Sequence, residues 1–236
     1  MILSGDAILC QGYSKPGAGS DLASLRTRAV LDGDSLVLNS YKIWTTWDHH
    51  ADWMFALVRT SDAGARQHGI SFVLIDMKTP GITRRAITTI ANGDEYCEVF
   101  FDNVRVPLEH LVGEIDKGWA VTTALLSEER LRIGSPALAL KALARLSLQE
   151  AALHAERIAR TRVEVDTLTA SFLNVAEAEH DPSGGPAADS SYLKILATET
   201  VLTVLDAAQQ IAGEEASLRE EGGVLDYSEM FLQSRR

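Results

Sequence analysis

Along the first half of the chain, apolar and polar positions alternate in short runs. LVLNSYKIWTT (36–46), WMFALVRT (53–60), ISFVLIDM (70–77) and CEVFFDNVRVP (97–107) are rich in β-branched and aromatic residues. That composition suits pleated, half-buried strands. Between the runs stand Asp32-Gly33-Asp34, Ser61-Asp62-Ala63-Gly64 and Pro80-Gly81, residues that preset turn dihedrals or accept positive φ. Several short strands punctuated in this way predict an antiparallel β-barrel or sandwich.

From Asp116 onward the period changes. GWAVTTALLSEERLRIG places Trp119, Leu126 and Ile133 near helical spacing. Pro136 should kink or end that helix, because a proline there lacks the N–H donor and clashes with the preceding turn. Residues 137–178 are rich in Ala, Leu, Glu and Arg, all strong helix formers. HDPSGGPAADSS (180–191) reads as a loop, and Asp189-Ser190-Ser191 can cap a helix beginning near Tyr192. Gly213 suits the C-terminal cap of that helix. The fold class read from the pattern is α+β, with a β domain over 1–115 followed by an α-helical bundle over 116–236.

Composition narrows the function. The net charge of −11 argues against a nucleic-acid binder, which would carry a basic stripe. An anionic ligand must then be held by local groups such as turn amides or single arginines. Cys10 and Cys97 are far apart in sequence and suggest neither a disulfide framework nor a CxxC metal site, which fits a reducing, cytoplasmic setting. No run of 18 apolar residues offers a membrane span. MILSGDAILC lacks a basic n-region and reads as the interior of a folded chain beginning abruptly.

The densest chemistry lies in CQGYSKPGAGSDL (10–22). Gly17 and Gly19 allow positive φ and a close ligand, and Ser14 and Ser20 add hydroxyls. A turn of exposed amides can bind phosphate oxygens, although a plain glycine-rich turn between strands would use the same residues. His49-His50 invites a metal reading. Adjacent residues on a strand point to opposite faces, so they are expected as surface or loop histidines, with no metal.

In order, CQGYSKPGAGSDLASLRT, YKIWTT, ADWMFALVRT, GISFVLIDMKTPGI, EVFFDNVRVP, LVGEIDKGWAV and SEERLRIG together resemble the acyl-CoA dehydrogenase family. The likeness continues more weakly through SSYLKILATE and DAAQQIAG. It implies a flavoprotein that holds FAD between a middle β domain and a C-terminal helical bundle. In such enzymes a glutamate removes the α-proton of an acyl-CoA thioester while the β-hydrogen leaves as hydride to the flavin, giving a trans-enoyl-CoA. Gln11, Tyr13 and Ser14 match the segment lining the flavin ring, and Ser20 matches a serine near the cofactor pyrophosphate and the substrate. Trp44, Thr45 and Thr46 match the family's tryptophan–threonine segment beside the ring. Gln209 and Gly213 match positions that meet the ADP part of a partner subunit's FAD. Glu129 matches the base that some members carry in an ER context, with Arg130 toward the CoA side.

The resemblance also implies an electron-transfer flavoprotein or similar acceptor and a homo- or hetero-oligomer. It implies a helical domain before the β domain and a GGT segment after FLQSRR, so the chain is expected to be part of such an enzyme. Four departures stand out. Lys15 replaces a glutamate, Asn39-Ser40-Tyr41 replaces an Asn-Gly turn, Pro136 interrupts a helix, and the Arg-x-x-Phe-Gly segment has no clear match. Two alternatives follow: an inactive paralogue or partner-dependent subunit, and a flavin-dependent monooxygenase on the same fold.

Overall fold

The computed structural model describes residues 3–62, 66–91, 93–146, 153–179, 190–213 and 230–232. They form two compact units, 1–124 and 125–236. Of the sequence readings, Ala63, Gly64, the loop over 180–189 and the QSRR end of FLQSRR lie outside the described residues.

The first unit is built on eight strands: β1 (Leu9–Gly12), β2 (Arg28–Asp32), β3 (Ser35–Thr46), β4 (Trp53–Arg59), β5 (Ile70–Asp76), β6 (Ile82–Ile87), β7 (Tyr96–Pro107) and β8 (Leu111–Val112). Their order is β6-β7-β3-β2-β4-β5-β8, with β1 alongside β4. Most neighbours are antiparallel, but β1 runs parallel to β4 and β2 meets β4 in parallel at Arg28 and Arg59. The sheet is therefore mixed, because β1 reaches β4 through intervening strands and not through a hairpin. Leu36, Leu38, Met54, Val58, Ile75 and Val99 form much of its core, none more than 1% exposed. Full burial of one such side chain stabilises by about 1.5–3 kcal/mol.

Asn39-Ser40-Tyr41, where the family's Asn-Gly turn is replaced, lie within β3, in line with the strand run read over 36–46. None of them has positive φ. The left-handed residue is Asn103 on β7, at φ 52. Its backbone N–H donates to the Asn39 side chain at 2.9 Å, and the two amide side chains also bond at 3.1 Å. Asparagine tolerates that conformation, so no glycine is needed in β3.

The helices are α1 (Gly118–Ile133), α2 (Ala137–Leu146), α3 (Ala155–Glu179) and α4 (Ser190–Ala212). α1 ends before Pro136, as the proline requires. The Ala137 N–H donates to the Ser135 hydroxyl at 3.3 Å, so serine and proline open α2 in the order that a helix start favours. Leu143, Leu146, Val165, Leu168, Leu193 and Leu205 form the second core, each at most 3% exposed. Gly134 fits because an added Cβ would stand 2.6 Å from Leu193 Cγ. Gly213, at φ +56, follows the last residue of α4 and acts as its left-handed cap.

One polar side chain is fixed deep in the β unit. Lys42 on β3 is 0% exposed, and its ammonium donates to the Tyr13 carbonyl at 3.1 Å and the Leu57 carbonyl at 2.7 Å. Burial, aided by repulsion from Lys15, holds its pKa down at about 7 from 10.5. Between those values the unfolded chain binds a proton on Lys42 that the folded chain does not. The group's contribution to stability is therefore flat below about pH 7 and rises with pH above it. Unfolding free energies from denaturant titrations at pH 6 to 10 should rise by a few kcal/mol more in the native protein than in Lys42→Met, a scale set by about 1.4 kcal/mol per pKa unit. Parallel curves would disprove this.

Candidate functional site

The segment singled out by its glycines leaves β1 at Gly12 and turns back on itself. Tyr13 is buried, and its ring packs edge-on against Phe55 and Phe72 at 5.7 and 6.3 Å. Its carbonyl is held by Lys42, and the next carbonyl, of Ser14, accepts the Ile43 N–H at 3.1 Å. Two successive bonds thus lay this segment along β3. Lys15 and Ala18 then exchange backbone bonds at 3.2 and 2.9 Å across Pro16-Gly17. Proline followed by glycine at φ +81 is the pattern of a type II turn. Only Gly17 uses the left-handed region. Gly19 does not, contrary to the sequence expectation, and a Cβ at either glycine would meet nothing within 4 Å. The backbone there is open on one side.

Beyond the turn, Ser20 is exposed, and Asp21 pairs with Arg66. Arg59 holds the surrounding loops from within by donating to the Ala23, Leu25 and Arg66 carbonyls at 2.8, 3.4 and 3.1 Å. The polar groups of this stretch are the half-buried Gln11 and Ser14, the exposed Ser20 and the Gly17 N–H, since the Lys15 and Ala18 N–H groups bond each other's carbonyls across the turn and Pro16 has none. Such a donor set fits the polar edge and phosphates of a dinucleotide.

Beside it runs the tryptophan–threonine segment. Inward positions on β3 are even-numbered at Leu36, Leu38 and Lys42, and that phase would bury Trp44. The pairing with β7 slips between Lys42 and Thr45, and Trp44 takes φ 60. This bulge reverses the phase. Thr45 becomes 0% exposed, while Trp44 is 56% exposed and Thr46 is exposed with it. A left-handed aromatic costs about 1–2 kcal/mol, and bulges with such strain occur often beside functional sites. The Trp44 ring meets Tyr96 edge-on at 6.0 Å.

Trp47 is also left-handed, at φ 56, and its N–H donates to the Glu95 carbonyl at 2.7 Å. A 3-10 turn over Asp48–His50 follows. The two histidines are exposed, as expected, but their rings lie only 4.1 Å apart. The opposite-face argument fails because this segment is not a strand. Consecutive residues on a 3-10 turn are separated by only about 120°. Among the described residues no group of three or more His, Cys, Asp or Glu could hold a metal.

Asp48 itself is 0% exposed and ion-paired with Arg84 at 3.0 Å. Burial pushes its carboxyl up, and the guanidinium beside it pulls it back. The buried Cys10 thiol lies 3.6 Å from Asp48, and burial and that carboxylate raise its pKa strongly. A thiol so placed is inert as a nucleophile. Asp48, Arg84 and Lys42 were not anticipated. The signal for Lys42 was its inward phase on β3, whereas the Asp48–Arg84 pair is set by tertiary packing.

In the second unit, Glu129 and Arg130 are half-buried on α1, while Glu128 and Arg132 are exposed. Gln209 is half-buried near the end of α4, and Gly213 lies just beyond it. Within the first unit the structure therefore brings Tyr13 and Ser14 alongside β3, next to Trp44–Thr46 in the chain, while Gln11 pairs with Phe55 on β4; in the second unit Glu129 and Arg130 are neighbours on α1.

Comparison with known proteins points one way. Residues 10–104 match the model described as acyl-CoA dehydrogenase, middle domain, and residues 116–234 match acyl-CoA dehydrogenase, C-terminal domain. Acyl-CoA dehydrogenase IpdE1 of Mycobacterium tuberculosis is 46% identical over 121 residues, covering 51% of this chain and 31% of that protein. Acyl-CoA dehydrogenase FadE26 of the same organism is 32% identical, covering 93% and 59%. The ChsE4-ChsE5 complex from M. tuberculosis superposes with a TM-score of 0.86 at 30% identity, covering 99% of this chain and 64% of that one. The chain thus spans between about a third and two thirds of the length of these relatives.

The turn offers a direct check. Gly17→Ala should lower unfolding stability by about 1 kcal/mol, the cost of a side chain in the left-handed region, whereas Gly19→Ala should stay within about 0.5 kcal/mol. Equal effects in denaturant titrations would mean that the turn is not built on Gly17.

Proposed function

The chain belongs to the acyl-CoA dehydrogenase family, and on that premise we propose that it carries the flavin-facing surface and the base of an FAD-dependent acyl-CoA dehydrogenase. The family is one of flavoprotein oxidoreductases. In this reading the β domain covers 1–115 and the helical bundle 116–236. The reading is carried by one observation. The bonds from Lys42 to Tyr13 and from Ile43 to Ser14 set an open turn beside an outward indole.

In this reading Gln11, Ser14 and Thr46 hold the polar edge of the flavin, and Ser20 with the Gly17 N–H receives the pyrophosphate. With a net charge of −11, no broad basic surface is needed, because each anion is met by local dipoles. Tyr13 contributes its backbone, since its ring is committed to Phe55 and Phe72. Trp44 covers the ring system, while Thr45 faces inward and supports the strand. Gln209 and Gly213 take the ADP portion of a cofactor bound by a second subunit. Bound FAD supplies the acceptor for the hydride that leaves the substrate β-carbon with its electron pair.

Glu129 removes the proton at the α-carbon, and the electrons of that C–H bond form the new α,β double bond. Proton removal by a positioned carboxylate requires reach and a poised, water-poor setting. Arg130 and Ser20 orient the CoA thioester. An electron-transfer flavoprotein or similar acceptor reoxidises the enzyme, which works as a homo- or hetero-oligomer.

Purified protein should show flavin absorbance that bleaches anaerobically on adding an acyl-CoA. Glu129→Gln should keep its flavin and lose about 10²–10⁴-fold in reduction rate, the usual worth of a general base. No flavin, or no bleaching with any acyl-CoA, would overturn the reading. A Glu129→Gln variant that reduced oxygen at the native rate would favour the monooxygenase alternative.

A further inference from the structure

At the end of β4 a single guanidinium gathers two loops of the β unit. Arg59 donates to the Ala23 and Leu25 carbonyls at 2.8 and 3.4 Å in one loop, and to the Arg66 and His68 carbonyls at 3.1 and 2.5 Å in the other. Four of the five N–H groups of an arginine are used in this way. The side chain hangs from a fixed point. Its own backbone N–H donates to the Thr27 carbonyl at 2.6 Å. The next two residues, Thr60 and Ser61, donate their hydroxyls to the Asp116 carboxylate at 2.5 and 2.8 Å, and the Asp116 N–H donates to the Ser71 hydroxyl at 2.8 Å.

The first of the two loops carries Ser20. That residue is exposed, so its place is set by the backbone on either side of it. Before it, Lys15 and Ala18 close the turn. After it, Leu22–Ser24 form a 3-10 turn, where the Ser24 hydroxyl donates to the Asp21 carbonyl at 2.7 Å and reaches back to the Gly17 carbonyl at 3.4 Å. Ser24 thus ties together the two flanks of Ser20. Its own neighbours, Ala23 and Leu25, are 6% and 1% exposed, and theirs are the carbonyls that Arg59 holds. A single 3-10 turn has poor hydrogen-bond geometry of its own, so a firm placement has to come from such an anchor.

We propose that Arg59 is a positioning residue for Ser20: by holding the Ala23 and Leu25 carbonyls it fixes the backbone that presents the Ser20 hydroxyl to the cofactor pyrophosphate. The inference rests on the reading of Ser20 as a pyrophosphate ligand. Arg59 touches neither cofactor nor substrate in it and acts through the loop alone.

The test follows FAD release from the diluted holoprotein by flavin fluorescence. The variants are Ser20→Ala, Arg59→Met, Arg59→Lys and Ser24→Ala, and each of the last three combined with Ser20→Ala. Ser20→Ala should release FAD about 10–100-fold faster, the worth of one hydrogen bond to a charged group. Arg59→Met should speed release by a similar factor. Arg59→Lys should do so by less, because an ammonium keeps the charge but lacks the planar fork that spans several carbonyls. Ser24→Ala should speed it by about 2–10-fold, the worth of a neutral bond. On top of Ser20→Ala, each of the three should add no more than about 2-fold, since all act through the same hydroxyl. Amide hydrogen exchange over residues 21–25 should accelerate in the Arg59 variants, while that over β3 stays native.

Multiplied losses in the combined variants, or faster exchange over 21–25 with native FAD release, would overturn the proposal while leaving Ser20 as a ligand. If Arg59→Met yields no folded holoprotein, Arg59→Lys and Ser24→Ala decide by the same criteria. A Ser20→Ala holoprotein that released FAD at the native rate would instead remove the reading of Ser20, and the proposal with it.

Discussion

The β unit depends on a buried amino group. Lys42 has no place in an apolar core unless its N–H groups find acceptors, since a buried donor left unpartnered is costly. Among the described residues its partners are the Tyr13 and Leu57 carbonyls, from the end of β1 and from β4. One side chain on β3 therefore gathers two other stretches of chain around it. The Ile43–Ser14 bond continues that seam by one residue. Without it, nothing in the sheet topology would bring the glycine turn alongside the tryptophan segment, because β1 is paired with β4. The depressed pKa of Lys42 is the electrostatic trace of that burial.

Strain gathers next to the seam. Trp44 and Trp47 are both left-handed, three residues apart, and a slip in the β3–β7 ladder separates them from the regular strand. The Asp48–Arg84 pair lies directly below. A buried pair of this kind adds little net stability but is costly to break, so it fixes geometry more than it strengthens the fold. Exposed aromatic surface at Trp44 and Trp47 is then a product of the backbone and not of chance packing. The same logic holds at the start of α1. There a left-handed Asp116 is kept in place by hydroxyls, and Gly118 allows backbone to touch backbone.

The strand runs, the break at Pro136 and the cap at Gly213 were all legible from the sequence, because each follows from local period or from a residue with restricted or unusual backbone freedom. The family was legible as well, since its motifs occur in order across both units. Two local readings went differently for physical reasons. Gly19 sits after the turn and needs no special φ. The histidine pair lies on a 3-10 turn, where neighbours can meet.

What the sequence by itself determined is the order of elements, the turn at Pro16-Gly17 and the residue types available for chemistry, because these depend on interactions within a few positions. What only the tertiary structure decided is which of those residues face outward together. Alternation from Leu36 and Leu38 would have buried Trp44 and exposed Thr45. The bulge opposite Cys97 reverses that phase, and it arises from how β3 is paired with β7, whose Cys97 is 53 positions beyond Trp44 in the chain and invisible to any local period. The grip of Thr60, Ser61 and Ser71 on Asp116 has the same origin. Each hydroxyl is ordinary where it stands in the chain, and only the pairing of β4 with β5 makes them converge.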